Sequence, residues 1–488
     1  MTTTELTQRI VDQFGFAPTE GQIQVLQQFV AFLACRQPMS AMLLRGSAGT
    51  GKTTLTAAIV RTLATLGQKV ILMAPTGRAA KVMSVNAGRP AYTIHRKIYR
   101  QKTFEGDFNL NENLHADTLF VVDEASMIAN DGFAQSVFGS GRLLDDLVQY
   151  VYHGRNCRML LIGDTAQLPP VGEEESPALN TDFMRGYGLT LFEADLTEVL
   201  RQSALSGILY NATLIRRMIT HDEMTQLPRI SLARFADIHV VNGDELIEQL
   251  ATSYSNVGQD ETMVVTRSNK RANIYNQGIR NMVLGSEEQL TTGDMLMVVK
   301  NNYFWTEADD KAPLSFIANG DRAVVRRVRN LHDLYGLHFA TLTLSFPDYD
   351  DYELTATVLT DSLTSEAPAL TPEQNQMLYD GVMADYADIR QKRERIDKVR
   401  HDNHFNAIQI KYAYAVTCHK AQGGQWAHVY VDQGYMTDDM LTPAYIHWLY
   451  TAFTRATEQL FLVNWPKEQG EETEAPLYKL SIKIINRE

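Results

Sequence analysis

Residues 43–55 read LLRGSAGTGKTTL, three glycines and a lysine set between an apolar run and a segment with helical spacing. Glycine loses more backbone freedom on folding than any other residue, so a cluster of it implies that backbone geometry matters here. The spacing Gly46-x-x-x-x-Gly51-Lys52-Thr53 is the phosphate-binding P-loop pattern. In that pattern the loop amides, here those of Ser47, Ala48, Gly49 and Thr50, turn toward phosphate oxygens, and the helix that follows adds the positive end of its dipole. Lys52 is then expected to reach the β and γ phosphates and Thr53 to ligate magnesium, with Thr54 beside it. The context agrees, since 41–44 read as a buried strand and 53–66 as a helix. What ATP hydrolysis drives must be read from the rest of the chain.

At 488 residues the chain exceeds what one hydrophobic core serves, and about 150 residues per domain suggests three or four domains. The start, MTTTELTQRIVDQFG, has no basic segment followed by an apolar one, and no run approaches the ~18 apolar residues needed to cross a bilayer. A cytoplasmic protein without a membrane partner is expected. Cys35, Cys157 and Cys418 are far apart and odd in number, which argues against a disulfide framework or a metal cluster. A net charge of −13 argues against coating nucleic acid by bulk attraction, but a local basic channel remains open. Positive residues do cluster between Arg78 and Lys102, and again at Arg322, Arg326, Arg327 and Arg329. Either cluster alone reads first as a solvated face.

Apolar runs of β type alternate with helical patterns at AMLLR, KVILMAP, TLFVVDE and RMLLIGD, which predicts a parallel sheet covered by helices. A second alternation begins at TMVVTRS and resumes at HVYVDQ and QLFLVNW, so a second α/β domain is expected. Between them the short strands of GDMLMVVKNN, NGDRAVVRRVR, HFATLTLSF and YELTATVLT predict a small β-barrel. Residues 372–403 are a highly charged helical stretch that reads as a solvated arm. The expected units are 1–195, carrying a hairpin at about 98–116; 196–295 and 406–488, forming the second α/β domain; and 296–405, the barrel and arm inserted into it.

FVVDEAS, at 120–126, is an apolar strand ending in two carboxylates. At the carboxyl end of a strand both can line one site: Asp123 to hold the magnesium of MgATP, Glu124 to polarise the attacking water as general base. A capping pair at a strand-to-helix junction is the plainer reading of Asp-Glu taken alone. The next strand leads into GDTAQLPPVG, where Gln167 can bond the γ-phosphate or its water and lose that partner after hydrolysis.

These motifs, in this order, resemble superfamily 1 DNA helicases, most closely the RecD-like and Dda-like 5′-to-3′ branch. The resemblance runs from Thr19 to about Gln459. TEGQ, ending at Gln22, is similar to the adenine-reading segment. APTGRAAK and TIHRKIY are similar to the first strand-contacting segments, which implies DNA contacts at Pro75, Thr76 and His95. YAVTCHKAQGGQW implies further contacts at Thr417, His419 and Lys420, through groups suited to phosphates and sugars rather than base edges. LTEVLRQ and YTAFTRATEQL carry Arg201 and Arg455, which reach the γ-phosphate only if the two α/β domains close. Gly424 and Gln425 stand where family members often have a hydroxyl or acidic residue.

The resemblance implies two RecA-like P-loop domains, ATP and magnesium as cofactors, and a monomer that acts on single-stranded DNA and single-strand/duplex junctions. Two other classes stay open at this point: a nucleic-acid-stimulated ATPase subunit of a repair or recombination complex, and a P-loop phosphotransferase. Phe104 and Phe108 flank Glu105-Gly106-Asp107, a turn signal, so a hairpin with aromatics near its tip is expected as a strand-separation pin.

Overall fold

The strand that feeds the P-loop, Ser40–Gly46, is buried along nearly its whole length because both faces of its sheet are covered. Successive side chains on a strand point to opposite faces. Met42 and Leu44 accordingly join one core with Leu26, Phe29, Leu55 and Ile59, while Ala41 and Leu43 join another with Leu144, Leu147 and Val151. A computed structural model describes residues 2–101, 108–131, 139–198, 206–220, 227–232, 235–306, 313–314 and 316–471. Its first sheet has six strands in the order Ala91–Thr93, Lys69–Ala74, Thr118–Val122, Arg158–Gly163, Ser40–Gly46 and Thr190–Leu196. All neighbours are parallel. This is the parallel sheet the apolar runs predict, in the RecA-like layout the resemblance implies.

The second sheet is also wholly parallel, in the order Ile238–Val241, Ala456–Val463, Trp426–Asp432, Thr262–Thr266 and Ala415–Thr417. Its helix Pro443–Phe453 is buried from Tyr445 to Phe453 apart from His447, and packs against the helix Gly207–Thr220. Both helices lie at the cleft between the two α/β domains.

The inserted unit is a closed five-stranded barrel: Met295–Val298, Arg322–Leu334, Leu337–Phe346, Tyr352–Leu359 and Ile408–Tyr412. Tyr335 and Gly336, both at positive φ, make the two-residue turn between its long strands. Its last strand lies beyond the boundary at 405 expected from sequence, because an apolar run of five residues reads the same whether it closes a barrel or extends a sheet. Only Ala413 and Tyr414 separate that strand from Ala415–Thr417 of the second sheet. Buried Asn276 clamps this joint: its amide nitrogen donates to the Tyr412 and Ala415 carbonyls, and its oxygen accepts from the Tyr414 and Ala415 amides.

The charged stretch forms two helices, Pro372–Asp385 and Lys392–Arg400. They are not a free arm. Leu378, Val382 and Val399 are buried against Leu337, Phe339 and Leu359 of the barrel, and the charges face outward. Of the expected hairpin, the arms Tyr99–Gln101 and Phe108–Leu110 pair antiparallel. Phe104 and the Phe108 side chain lie outside the described residues.

Candidate nucleotide site and interdomain cleft

Gly46 ends its strand where a Cβ would lie 2.9 Å from the Leu196 Cβ, so only glycine lets the loop turn there. Gly49 and Gly51 follow at φ 76° and 82°, a backbone region that side chains with a Cβ rarely adopt. The helix Lys52–Thr65 then starts with no side-chain cap, which leaves its first amides for an anion. The Lys52 ammonium folds over the loop, donating to the Gly46 and Ser47 carbonyls at 2.6 and 2.8 Å. Thr53 and Thr54 are exposed on the first turn. Gln22 lies beneath them, nearly wholly buried, with its nitrogen donating to the Thr50 carbonyl at 3.1 Å and its oxygen accepting the Thr19 amide at 3.0 Å. One N–H and one lone pair of the Gln22 amide are thus used inside the protein.

Asp123 follows the strand Thr118–Val122, and its Oδ1 accepts the Glu124 amide at 2.8 Å. Burial, and then the Glu124 charge, push the Asp123 carboxyl up to about 6, against the pull of Lys52. Glu124 adopts the left-handed conformation, φ 52°, which is uncommon for a residue with a side chain and marks the turn that separates the two carboxylates. A desolvated carboxylate within electrostatic reach of Lys52, at the start of the P-loop helix, suits a hard divalent cation. Asp164 is buried, and its Oδ1 accepts the Ala166 amide at 3.0 Å. The Gln167 side-chain oxygen is buried and has no hydrogen-bond partner among the described residues.

The second domain reaches directly into this site. The Tyr450 hydroxyl accepts the Ala48 amide at 3.0 Å and donates to Asp164 Oδ2 at 2.5 Å. Arg216, on the helix Gly207–Thr220, donates from Nη1 to the Ser47 hydroxyl at 3.2 Å. Around the loop that carries Gln167, Thr451 Oγ1 accepts the Leu168 amide at 2.8 Å, and Gln422 Nε2 donates to the Leu168 carbonyl at 2.6 Å. His447 Nδ1 donates to the Ala166 carbonyl at 2.9 Å. Arg455 is placed otherwise than the sequence suggests. It is buried, and its guanidinium donates to the Thr451 and Gly424 carbonyls and to the Thr454 hydroxyl, all within its own domain. Arg201 lies outside the described residues.

The strand-contacting segments meet on the other side of the cleft. Thr76 follows Pro75 and caps the helix Gly77–Ala87, its hydroxyl accepting the Ala79 amide at 3.2 Å. A Cβ on Gly423 would lie 2.9 Å from that hydroxyl, so the Thr76 segment and the loop after Lys420 abut. Thr417 starts the short helix Cys418–Ala421. Burial lowers His419, and burial with nearby Lys411 lowers Lys420 to about 8. His95 packs between Tyr99 and Phe316, with ring centroids 5.7 and 6.3 Å away, and loss of water pushes it down to about 4, so it is neutral at pH 7.

Residues 18–218 match the family described as an AAA domain, and residues 412–463 match a UvrD-like helicase C-terminal domain. The chain is 26% identical over 322 residues to the ATP-dependent DNA helicase dda of Enterobacteria phage T4, covering 63% of this chain and 66% of that one. It is 39% identical over 131 residues to the ATP-dependent RecD2 DNA helicase of Deinococcus radiodurans, covering 27% of this chain and 16% of that one. In both of its α/β domains the chain is similar to helicases of superfamily 1. Its relatives include Dda-like and RecD-like proteins, and it spans just under two thirds of the phage relative's length and far less of the bacterial one's. A crystal structure of Pif1 helicase from Bacteroides in complex with ADP-AlF3 and ssDNA has 16% identity and a TM-score of 0.46, over 93% of this chain and 94% of that one.

Sequence reasoning passed over two residues of this site, Arg216 and Tyr450. Arg216 sits in a helix whose pattern reads as amphipathic and solvated, and nothing in its spacing gives its reach. Tyr450 opens the very segment YTAFTRATEQL from which Arg455 was singled out. Tyr450 lies on the helix and faces the P-loop, whereas Arg455 lies in the turn just past the helix end and faces its own domain.

Proposed function

We propose that this chain is an ATP-dependent DNA helicase that translocates 5′ to 3′ on single-stranded DNA and separates duplex at single-strand/duplex junctions. The observation that carries this reading is the direct contact of the P-loop with the second domain. Arg216 and Tyr450 touch Ser47 and Ala48, so what the loop holds decides how the two domains meet. Relatives named as ATP-dependent DNA helicases support the same reading.

MgATP is the substrate at the P-loop, where the cation screens the phosphate charge and Thr53 and Asp123 would hold it. Lys52 binds the β and γ phosphates, Glu124 takes the proton of the attacking water, and Gln167 offers its unpartnered oxygen to that water. Arg201 acts across the cleft, whereas Arg455 acts by holding the Gly424 loop to its helix. The single strand runs over Pro75, Thr76 and His95 of one domain and Thr417, His419 and Lys420 of the other. Closing and reopening the cleft alternates their grip. The moving units are 1–195 against 196–295 with 406–488, the latter carrying 296–405. Phe104 and Phe108 are assigned to splitting the duplex.

The test uses two otherwise identical duplexes, one with only a 5′ tail and one with only a 3′ tail. Unwinding of the first alone, dependent on ATP, is expected. Unwinding of the second alone overturns the polarity, and unwinding of neither overturns the motor.

A further inference from the structure

The helix Gly77–Ala87, the barrel strand Arg322–Leu334 and the sheet strand Trp426–Asp432 converge on one indole ring. The Arg78 guanidinium carbon lies 4.6 Å from the Trp426 ring centroid and that of Arg322 lies 5.9 Å from it. Trp426 is 2% exposed and Arg322 7%. Stacking on an indole face accounts for their approach but satisfies none of their N–H groups. Among the described residues, Arg78 Nε, Arg322 Nε and Nη1, and Trp426 Nε1 are buried donors without a hydrogen-bond partner.

The charge is equally unbalanced. Arg78 donates to the Gln425 carbonyl, and its nearest carboxylate, Glu261, is 3.9 Å away. Asp348 and Asp260 act on it only through space, and burial with the neighbouring Arg322 charge lowers it to about 10. Arg322 has no ion pair among the described residues. Two guanidinium groups held near each other in a desolvated junction, with four unused donors, are costly unless an anion completes them. Planar guanidinium forks match the tetrahedral oxygens of a phosphate.

We propose that Arg78, Arg322 and Trp426 form a binding site for one backbone phosphodiester of the single strand. This rests on the helicase reading above and adds the barrel to the strand-contacting surface. It also accounts for the Gly424-Gln425 pair. A Cβ on Gly424 would lie 2.4 Å from the Trp426 ring, so no hydroxyl side chain fits there, and the phosphate contact passes to the two arginines. The site sits beside Thr76 and Gly423, where the two strand-contacting segments already abut.

The test is the binding of a fluorescently labelled oligo-dT, followed by anisotropy across a KCl series, to the unaltered protein and to Arg322→Met. We expect affinity to fall on the order of tenfold, and the log–log salt slope to flatten by about 0.7, the value for one single-strand phosphate contact. In a series where single phosphodiesters are replaced in turn by neutral methylphosphonates, one position weakens the unaltered protein and adds nothing in Arg322→Met. ATP hydrolysis without DNA stays unchanged. Equal affinity and slope in the variant overturn the site while the helicase reading stands. Failure of the unaltered protein to bind oligo-dT overturns the helicase reading itself. Should Arg322→Met not fold, Arg322→Gln, which keeps a polar amide, is read in the same way. A methylphosphonate series without a sensitive position also overturns the proposal.

Discussion

The Tyr450 hydroxyl accepts the amide of Ala48 at 3.0 Å, although the two residues are 402 positions apart and on opposite sides of the cleft. That amide belongs to the loop that cradles phosphate. On the proposed function, nucleotide and the second domain would compete for this one donor.

Tyr450→Phe removes the competitor and leaves the ring in place. A hydrogen bond of this kind contributes about 1 kcal/mol net, so nucleotide should bind roughly fivefold more tightly, as read by titration with a fluorescent ADP. The same change leaves one Asp164 oxygen buried without its donor, and the melting temperature should drop by several degrees. Weaker nucleotide binding would mean that Tyr450 supports the loop rather than competes with its ligand.

Arg216 and Arg455 are expected to part into a catalytic and a structural arginine. With its reach to Ser47, Arg216→Ala should lower DNA-stimulated kcat by on the order of 10²-fold or more, with nucleotide affinity changed far less. Arg455→Met removes three buried hydrogen bonds and should cost stability first, by about 3 kcal/mol or more in a denaturant titration. The opposite pattern would return Arg455 to the phosphate.

Lys52→Ala should abolish hydrolysis while single-strand binding survives, because the loop loses the cation that meets the phosphates. Glu124→Gln should bind MgATP and turn it over poorly, since an amide cannot take the water's proton. Turnover within a few-fold of the unaltered protein would exclude Glu124 as the base.

The Asp123 carboxyl, raised to about 6, holds its proton into a range where an ordinary carboxylate has lost it. A hard cation takes only the ionised form, so proton and magnesium compete below that pH and not above it. The magnesium concentration for half-maximal hydrolysis should rise several-fold between about pH 7 and pH 5.5, and stay level from about pH 7 to 8. In the protein without nucleotide, the same shift means that stability falls as pH rises from the ordinary carboxylate range toward 6. The folded state keeps a proton that the unfolded chain has released. A magnesium requirement independent of pH would remove Asp123 from the cation site.

The P-loop, the paired sheets and the barrel were legible because their signals are local: glycine spacing, apolar runs that end in charge, and short strands between turn residues. The Gln167 loop was legible too, through its order after the Asp123-Glu124 strand. Reach was not legible. Arg216 and Arg455 are the same residue type, one within a helix and the other in the turn that follows one, and which guanidinium crosses the cleft depends on how each segment is oriented. The helices 372–400 were misread for a related reason: their few apolar residues, Leu378, Val382 and Val399, are outnumbered by charge, yet they fall on the stripe that meets the barrel. Gly424 looked like a missing hydroxyl until the Trp426 ring above it was in view.

The Asn276 clamp at the joint between the barrel and the second sheet has a mechanical consequence. With four hydrogen bonds holding residues 412–415, the barrel has no hinge of its own and swings whenever the second domain turns. Its far end rests on the first domain, where Lys81 donates to the Pro347 carbonyl and Tyr349 lies against Gly77. The second domain thus bears on the first at the nucleotide cleft and beside Thr76 and Arg78, and the barrel adds a contact at its tip. A rotation of a few degrees at the cleft becomes a longer sweep at that tip, as with a crank turned close to its axle.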